Sequence, residues 1–190
     1  MTASRRYAAF VTSVPLSLAA LDASGAPQWN SALVAGVAGV GDASAAWDKT
    51  QFYGGVRGDV LFLRNGPRSP GLGPSLEIAT AGFSDVRAIA GATVLLPLGD
   101  LWGIAVEPGG YVRSSDGGAL PGLSGRAWFG VQTYNYQGAY SPRGGITVGY
   151  SHDLGDSDAH AIVIAAQVDG LILALPFVLL FESFRGSSRE

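Results

Sequence analysis

Six stretches of this chain place their charged or amide residues on one parity and their apolar residues on the other, and that alternation limits what the chain can fold into. In 52–63, FYGGVRGDVLFL, Arg57 and Asp59 share one parity while Val56, Val60 and Phe62 share the other. Glu77 opposes Leu76 and Ile78 in 75–83, and Arg87 opposes Val86, Ala88 and Val94 in 86–96. Glu107 and Arg113 oppose Trp102, Ile104 and Val106 in 101–113, whereas Arg126 and Gln132 oppose Phe129 and Val131 in 124–136. In 160–172, Gln167 and Asp169 oppose Ile162, Ile164 and Val168. A period of two marks a β-strand, because successive side chains point to opposite faces of a sheet. Stretches 31–41 and 143–152 complete a set of eight, and in the latter Ile146, Val148 and Tyr150 fall together on one side. Clusters of Gly, Pro, Asn, Asp and Ser separate the stretches, no segment carries a 3.6-residue apolar stripe, and no linker divides the chain. The expectation is one all-β domain over 27–184 made of about eight antiparallel strands.

Strand length and the content of the polar face say what surrounds such a domain. Each stretch is about nine to thirteen residues, enough for a tilted strand to cross bilayer hydrocarbon, whereas soluble strands average nearer five or six. Apart from its few charges the polar face is mostly Gly, Ala, Thr and Ser, which is poor material for a solvated surface. Charged residues are only 14% of the chain, and its twelve basic residues include a single lysine, Lys49. Arginine suits fixed, paired geometry, whereas lysine suits free solvation. The small, sparsely charged face therefore fits the inside of a closed eight-stranded barrel, a lumen just wide enough for side chains to fill. Charges buried there must pair. The expected interior polar network is Arg57, Asp59, Glu77, Arg87, Glu107, Arg126, Gln132 and Asp169. The expected lipid-facing set includes Ile146, Val148, Tyr150, Ile162, Ile164 and Val168. Trp102, Tyr111, Tyr134, Tyr136, Tyr140 and Tyr150 fall near strand ends as interfacial girdles do, while parity puts Trp128 inside.

The N-terminus adds a targeting pattern. Arg5 and Arg6 precede the uncharged run 7–21 and the small-residue stretch 23–26, the layout of a secretory signal peptide over 1–26. A signal-like start, long alternating strands, a Gly-rich interior and aromatic strand ends together resemble a small, eight-stranded outer-membrane β-barrel protein. The resemblance covers about residues 30 to 175 and rests on pattern. It implies a closed up-and-down transmembrane barrel in the outer membrane of a Gram-negative bacterium, with lipids and the barrel-assembly machinery as partners. The implied role is structural, or binding through loops, with a plugged interior and no cofactor. A soluble periplasmic or secreted lipocalin-like ligand-binding barrel is the rival, and a lipid-modifying barrel enzyme a third class. Such barrels commonly end on an aromatic residue, whereas here Phe184 is followed by the polar tail 185–190, RGSSRE. The apolar run 170–181 either lengthens the last strand with a bend at Pro176 or revises the strand count.

If the chain ends share one side, connections 42–51, 84–85, 114–123 and 153–159 share the other. They carry Asp42, Asp48, Asp85, Asp116, Asp153, Asp156 and Asp158 against Lys49 alone, which reads as an acidic set of outer loops. The opposite connections hold Arg64, Arg68 and Asp100.

Motifs for chemistry are thin. Ser151, His152 and Asp153 are the residue types of a hydrolase, but neighbours on a strand face opposite ways, so Ser151 and His152 cannot form a nucleophile–base pair. Lipid-modifying barrels place a His and a Ser two positions apart, a spacing this chain lacks. No catalysis is expected. His152 and His160 flank three aspartates, yet a hairpin turn is the simpler reading, and no metal site is expected. The RGD at 57–59 lies inside a strand, and GLGPSLE lacks the strand–loop–helix setting of a phosphate loop. With no cysteine there is neither a disulfide nor a thiolate site, and a net charge of −3 gives no footprint for nucleic acid. No small-molecule substrate is identifiable.

Overall fold

The structure is a computed structural model, and it describes residues 26–42, 45–115, 118–154 and 159–176. The expected signal peptide, apart from residue 26, and the polar tail lie outside the described residues. Alternation becomes eight strands: β1 (Gln28–Asp42), β2 (Ala45–Leu61), β3 (Gly71–Ala81), β4 (Asp85–Pro97), β5 (Trp102–Ser115), β6 (Gly118–Gln132), β7 (Arg143–Asp153) and β8 (His160–Asp169). Each pairs antiparallel with its sequence neighbour, and β8 returns to β1, so the sheet closes into an up-and-down barrel with no free edge. Closure removes the unpaired backbone groups that an open sheet would present. Residues 26 and 169 mark one end, here the near end; the β1–β2 hairpin lies at the far end.

Several boundaries differ from the expectation, and four of them have a local reason. The strands around 42–51 and 114–123 run almost to the turn, because β1–β2 and β5–β6 continue pairing to Asp42↔Ala45 and Ser115↔Gly118. Those segments are therefore mostly strand and not the acidic outer loops expected of them. The stretch 124–136 stops at Gln132, since Asn135 turns the chain: its Oδ1 accepts from the Gln137 backbone at 3.0 Å and its Nδ2 donates to Tyr140 O at 3.0 Å. The stretch 160–172 stops at Asp169, and 170–176 is a short helix. Asp169 Oδ1 accepts from the backbone N–H of Leu171 at 2.8 Å and of Ile172 at 3.3 Å, capping that helix. Among the described residues neither alternative for the apolar run is met: the eighth strand ends at Asp169, ahead of Pro176, and the count is eight.

Inward glycines let the sheet curve tightly around bulky lumen side chains. Gly130 and Gly145 are cross-strand partners on β6 and β7. A Cβ on Gly130 would lie 2.2 Å from Gly144 O and 2.9 Å from the Trp128 ring, and one on Gly145 would lie 2.3 Å from Phe129 O. The closest of these contacts are with backbone, which cannot swing aside. Trp128, 1% exposed, fills the room the two glycines leave, against Leu61, Leu95 and Ala105.

Connections differ in length between the ends. At the far end they are 43–44, 82–84, 116–117 and 154–159; at the near end they are 62–70, 98–101 and 133–142. The longer near-end segments fold over the barrel mouth: Trp29 N donates to Ala139 O at 2.6 Å and Ser141 N to Trp29 O at 2.9 Å. The Gly130→Ala variant is expected to lose about 1–3 kcal/mol of stability through overpacking, measured as a shift in the denaturant or thermal midpoint. Unchanged stability would contradict the close backbone approach.

Candidate functional site in the barrel lumen

Period two sends every second side chain of each strand inward, and the lumen those side chains share is narrow. All eight residues expected in the interior polar network lie there: Arg57, Asp59, Glu77, Arg87, Glu107, Gln132 and Asp169 are buried, and the Arg126 side chain is 9% exposed. Trp128 is inside as its parity requires. The structure adds Arg64, Arg113, Arg143, Asp85 and Asp153. That makes six arginines and six carboxylates, so the lumen is formally neutral although its members come from every strand except β1 and from one turn.

Pairing runs across the lumen more than along the sheet. Arg57 on β2 makes a fork-to-fork contact with Glu107 on β5, at 2.6 and 2.7 Å, and also reaches Asp59 at 3.2 Å. Asp59 in turn takes Arg143 from β7. Arg126 on β6 bonds Glu77 on β3, and Tyr53 Oη donates to the same carboxylate at 2.5 Å. Partners three strands apart face each other through the barrel axis, so each pair acts as a strut. Planar guanidinium forks match carboxylates in this way, and a low-dielectric site strengthens each bond.

Toward the far end Arg87 and Arg113 sit directly opposite one another on β4 and β5, a repulsive pairing by itself. Two carboxylates relieve it. Asp85 bonds Arg87 at 2.7 Å and lies 3.8 Å from Arg113; Asp153 takes Arg113 Nε at 2.9 Å and Tyr111 Oη at 2.6 Å. Asp85 and Asp153 are thus lumen residues and not loop acids. Tyr111, 5% exposed, is no girdle residue either; its parity matches Glu107 and carries it inside. Ser151 faces the lumen and accepts from Arg87 at 3.1 Å, while His152 faces outward, so the two do not meet.

The near end holds one cation and one anion that do not pair with each other. Asp169 is held by neutral donors: Asn30 Nδ2 at 3.0 Å, Tyr140 Oη at 2.8 Å, the Arg143 backbone N–H at 3.1 Å and the two helix N–H groups. Tyr140, expected in a girdle, is therefore a tie between β8 and the 133–142 segment. Arg64 has no exposed surface, and among the described residues no carboxylate lies within ion-pair distance of it. It donates to Ser141 Oγ at 3.2 Å and to Gln28 Oε1 at 3.4 Å, and its guanidinium lies 5.4 Å from the Tyr134 ring centre. Burial, helped by the nearby Arg143 charge, pushes its pKa down to about 10. Leu63, at φ 67°, makes the turn that brings Arg64 back over the mouth.

Little space remains between these groups. Three lumen voids among the described residues measure about 20, 10 and 30 Å³, room for one or two waters each. A wider concavity of about 540 Å³ lies on the outer face, bordered by Trp29, Ser31, Gly58, Val60, Pro74 and Leu76.

The outer face has the opposite chemistry. Ile146 is 57% exposed and Val148 49%; Tyr150, Ile164 and Val168 are also exposed, and Ile162 is half-buried. Outward positions of β3 through β8 carry no Asp, Glu, Lys or Arg, and neither do 29–37 of β1 or 52–60 of β2. Aromatic pairs flank the band: Trp102 stacks on Phe129 at 5.4 Å toward the near end, and Phe52 on Phe83 at 5.1 Å toward the far end. Tyr134 and Tyr136 stand in the near-end connection, with Tyr136 exposed. No protein-family model matches the chain, and no curated protein matches it in sequence. Its class is thus given by its geometry: a closed, eight-stranded, antiparallel up-and-down β-barrel with a charge-filled lumen and an uncharged band around the middle of its outer face.

Arg57→Met is expected to cost about 3–5 kcal/mol by leaving Glu107 buried and unpaired. The double variant Arg57→Met/Glu107→Leu should cost clearly less than the sum of the two single changes. Arg64→Met, which orphans no carboxylate, should cost much less than Arg57→Met. Denaturant midpoints of the four variants check all three statements, and strict additivity at 57 and 107 would contradict the cross-lumen strut.

Proposed function

We propose that this chain is an outer-membrane β-barrel protein of a Gram-negative bacterium, with its apolar band in lipid and its lumen plugged by paired charges. The observation that carries this reading is the uninterrupted uncharged outer face. Strands of ten to seventeen residues tilted by roughly 45° rise about 2.3 Å per residue, so even the shortest covers about 23 Å of an apolar band about 25 Å tall. In water the same face would expose Val56, Leu76 and Ile78 on neighbouring β2 and β3, and Ile146 and Val148 on the opposite wall, at about half their surface or more, far beyond the scattered apolar residues a soluble surface tolerates. Lipid removes that cost.

Charges buried in the lumen have the same logic, since strands that cross hydrocarbon must keep polar groups on the inside and satisfy them there. A lipocalin-like barrel needs an open apolar cavity for its ligand; voids of about 10 to 30 Å³ give no such room. The role that fits is structural. A binding role would use the longer near-end connections, 62–70 and 133–142, because the far-end hairpins are short. Outer-membrane lipids and the barrel-assembly machinery are the partners this reading implies.

Cell fractionation with gel electrophoresis, before and after boiling, tests the proposal. It requires an outer-membrane band whose mobility shifts on heating; a freely soluble protein without a shift would overturn it. Val148→Arg, at mid-strand on the outer face, should cost about 2–4 kcal/mol of folding into lipid vesicles. A negligible cost would mean that position 148 does not face hydrocarbon.

A further inference from the structure

The chain has two histidines in 190 residues, and the fold places them opposite one another. His152 on β7 and His160 on β8 are direct cross-strand partners at the far rim. Both point outward, their rings lie 4.5 Å apart centre to centre, and their planes differ by 21°. Tyr150 Oη is hydrogen-bonded to His160 Nδ1, and His152 Nδ1 is buried with no hydrogen-bond partner. Nothing in the lumen network uses them. Asp153, between the two in sequence, faces inward to Arg113. No third His, Asp or Glu joins them among the described residues.

From this juxtaposition we infer that His152 and His160 form an open-sided, two-imidazole site for a borderline transition-metal dication: Zn²⁺, Cu²⁺ or Ni²⁺. Imidazole nitrogen selects these ions over Mg²⁺ and Ca²⁺, which seek oxygen. Metal–nitrogen bonds of about 2.0–2.1 Å put two ligating nitrogens on one ion about 3 Å apart; the two rings, stacked at 4.5 Å in the free protein, reach this by swinging out of the stack about their side-chain torsions until both in-plane lone pairs converge on the ion. When an imidazole binds metal through one nitrogen, the other is normally held by a neighbouring group. Tyr150 Oη provides that for His160 by accepting from Nδ1–H, which leaves the Nε2 lone pair for the ion. A bound ion would cross-link β7 to β8 at the rim, with water in its remaining positions.

The site does not depend on the membrane reading, and its test is separate. Tag-free, folded protein is titrated with Zn²⁺ against a chromophoric chelator, and with Cu²⁺ under electron paramagnetic resonance. The expected results are one ion per chain at micromolar affinity, no competition from excess Mg²⁺, and two equatorial nitrogens on Cu²⁺. His152→Ala and His160→Ala should each weaken Zn²⁺ binding at least tenfold while circular dichroism still reports the barrel. Wild-type affinity equal to that of the His152→Ala/His160→Ala double variant would overturn the site. A Cu²⁺ spectrum with no imidazole nitrogens would overturn it without recourse to any variant.

Discussion

A lumen too narrow to hold bulk water is the constraint on which this structure depends. Charges placed there cannot be hydrated, and an isolated buried ion costs several kcal/mol even after local relaxation. Each must find its partner within the barrel. The arrangement Arg57–Glu107, Arg126–Glu77 and Arg143–Asp59 meets that demand across the axis, joining strands three apart. Hydrogen bonds of the sheet already hold each strand to its neighbours. The struts add what the ladder lacks, a tie between opposite walls. They also fix how the strands stagger, because a strand that slipped by one residue would turn its own lumen charges onto the outer face.

The same constraint explains the composition. Of the seven arginines among the described residues, six lie in or over the lumen, and Arg68 is exposed, with Asp100 at 2.8 Å. Lysine, a compact and strongly hydrated point charge, would leave half of each carboxylate fork unmet. Glycine and alanine on inward positions leave volume for guanidinium groups and for Trp128. Buried arginines and small inward residues are two halves of one packing solution.

Much of this was legible in the sequence because strand parity is a rigid rule. Arg57, Asp59, Glu77, Arg87, Glu107 and Arg126 could be sorted by counting in twos, and eight strands followed from eight alternating stretches. Tyr53, Tyr111 and Arg143 obey the same rule; closeness to a strand end, which suggests a girdle for Tyr111, says nothing of face. Asp85 and Asp153 sit where a strand meets a turn, so parity and loop composition give opposite answers there. Parity wins, since both neighbouring arginines need a carboxylate. Arg64 carried no signal at all. It enters the mouth through a turn at Leu63 with positive φ, a conformation that sequence does not specify at a leucine. Which strands face each other across the axis was equally hidden, because alternation assigns a side chain to a face and not to a partner.

The outer face turns this packing into a statement about environment. Spin labels placed one at a time along 145–151 of β7, in protein folded into lipid vesicles, read it residue by residue through collisions with oxygen and with a water-soluble nickel chelate. The account requires labels at 146, 148 and 150 to collide readily with oxygen and hardly with the chelate. Labels at 147, 149 and 151 should be shielded from both reagents, giving a period of two. Equal access of the chelate to 146, 148 and 150 would contradict a lipid-facing band and leave the barrel's charged lumen without the membrane that accounts for it.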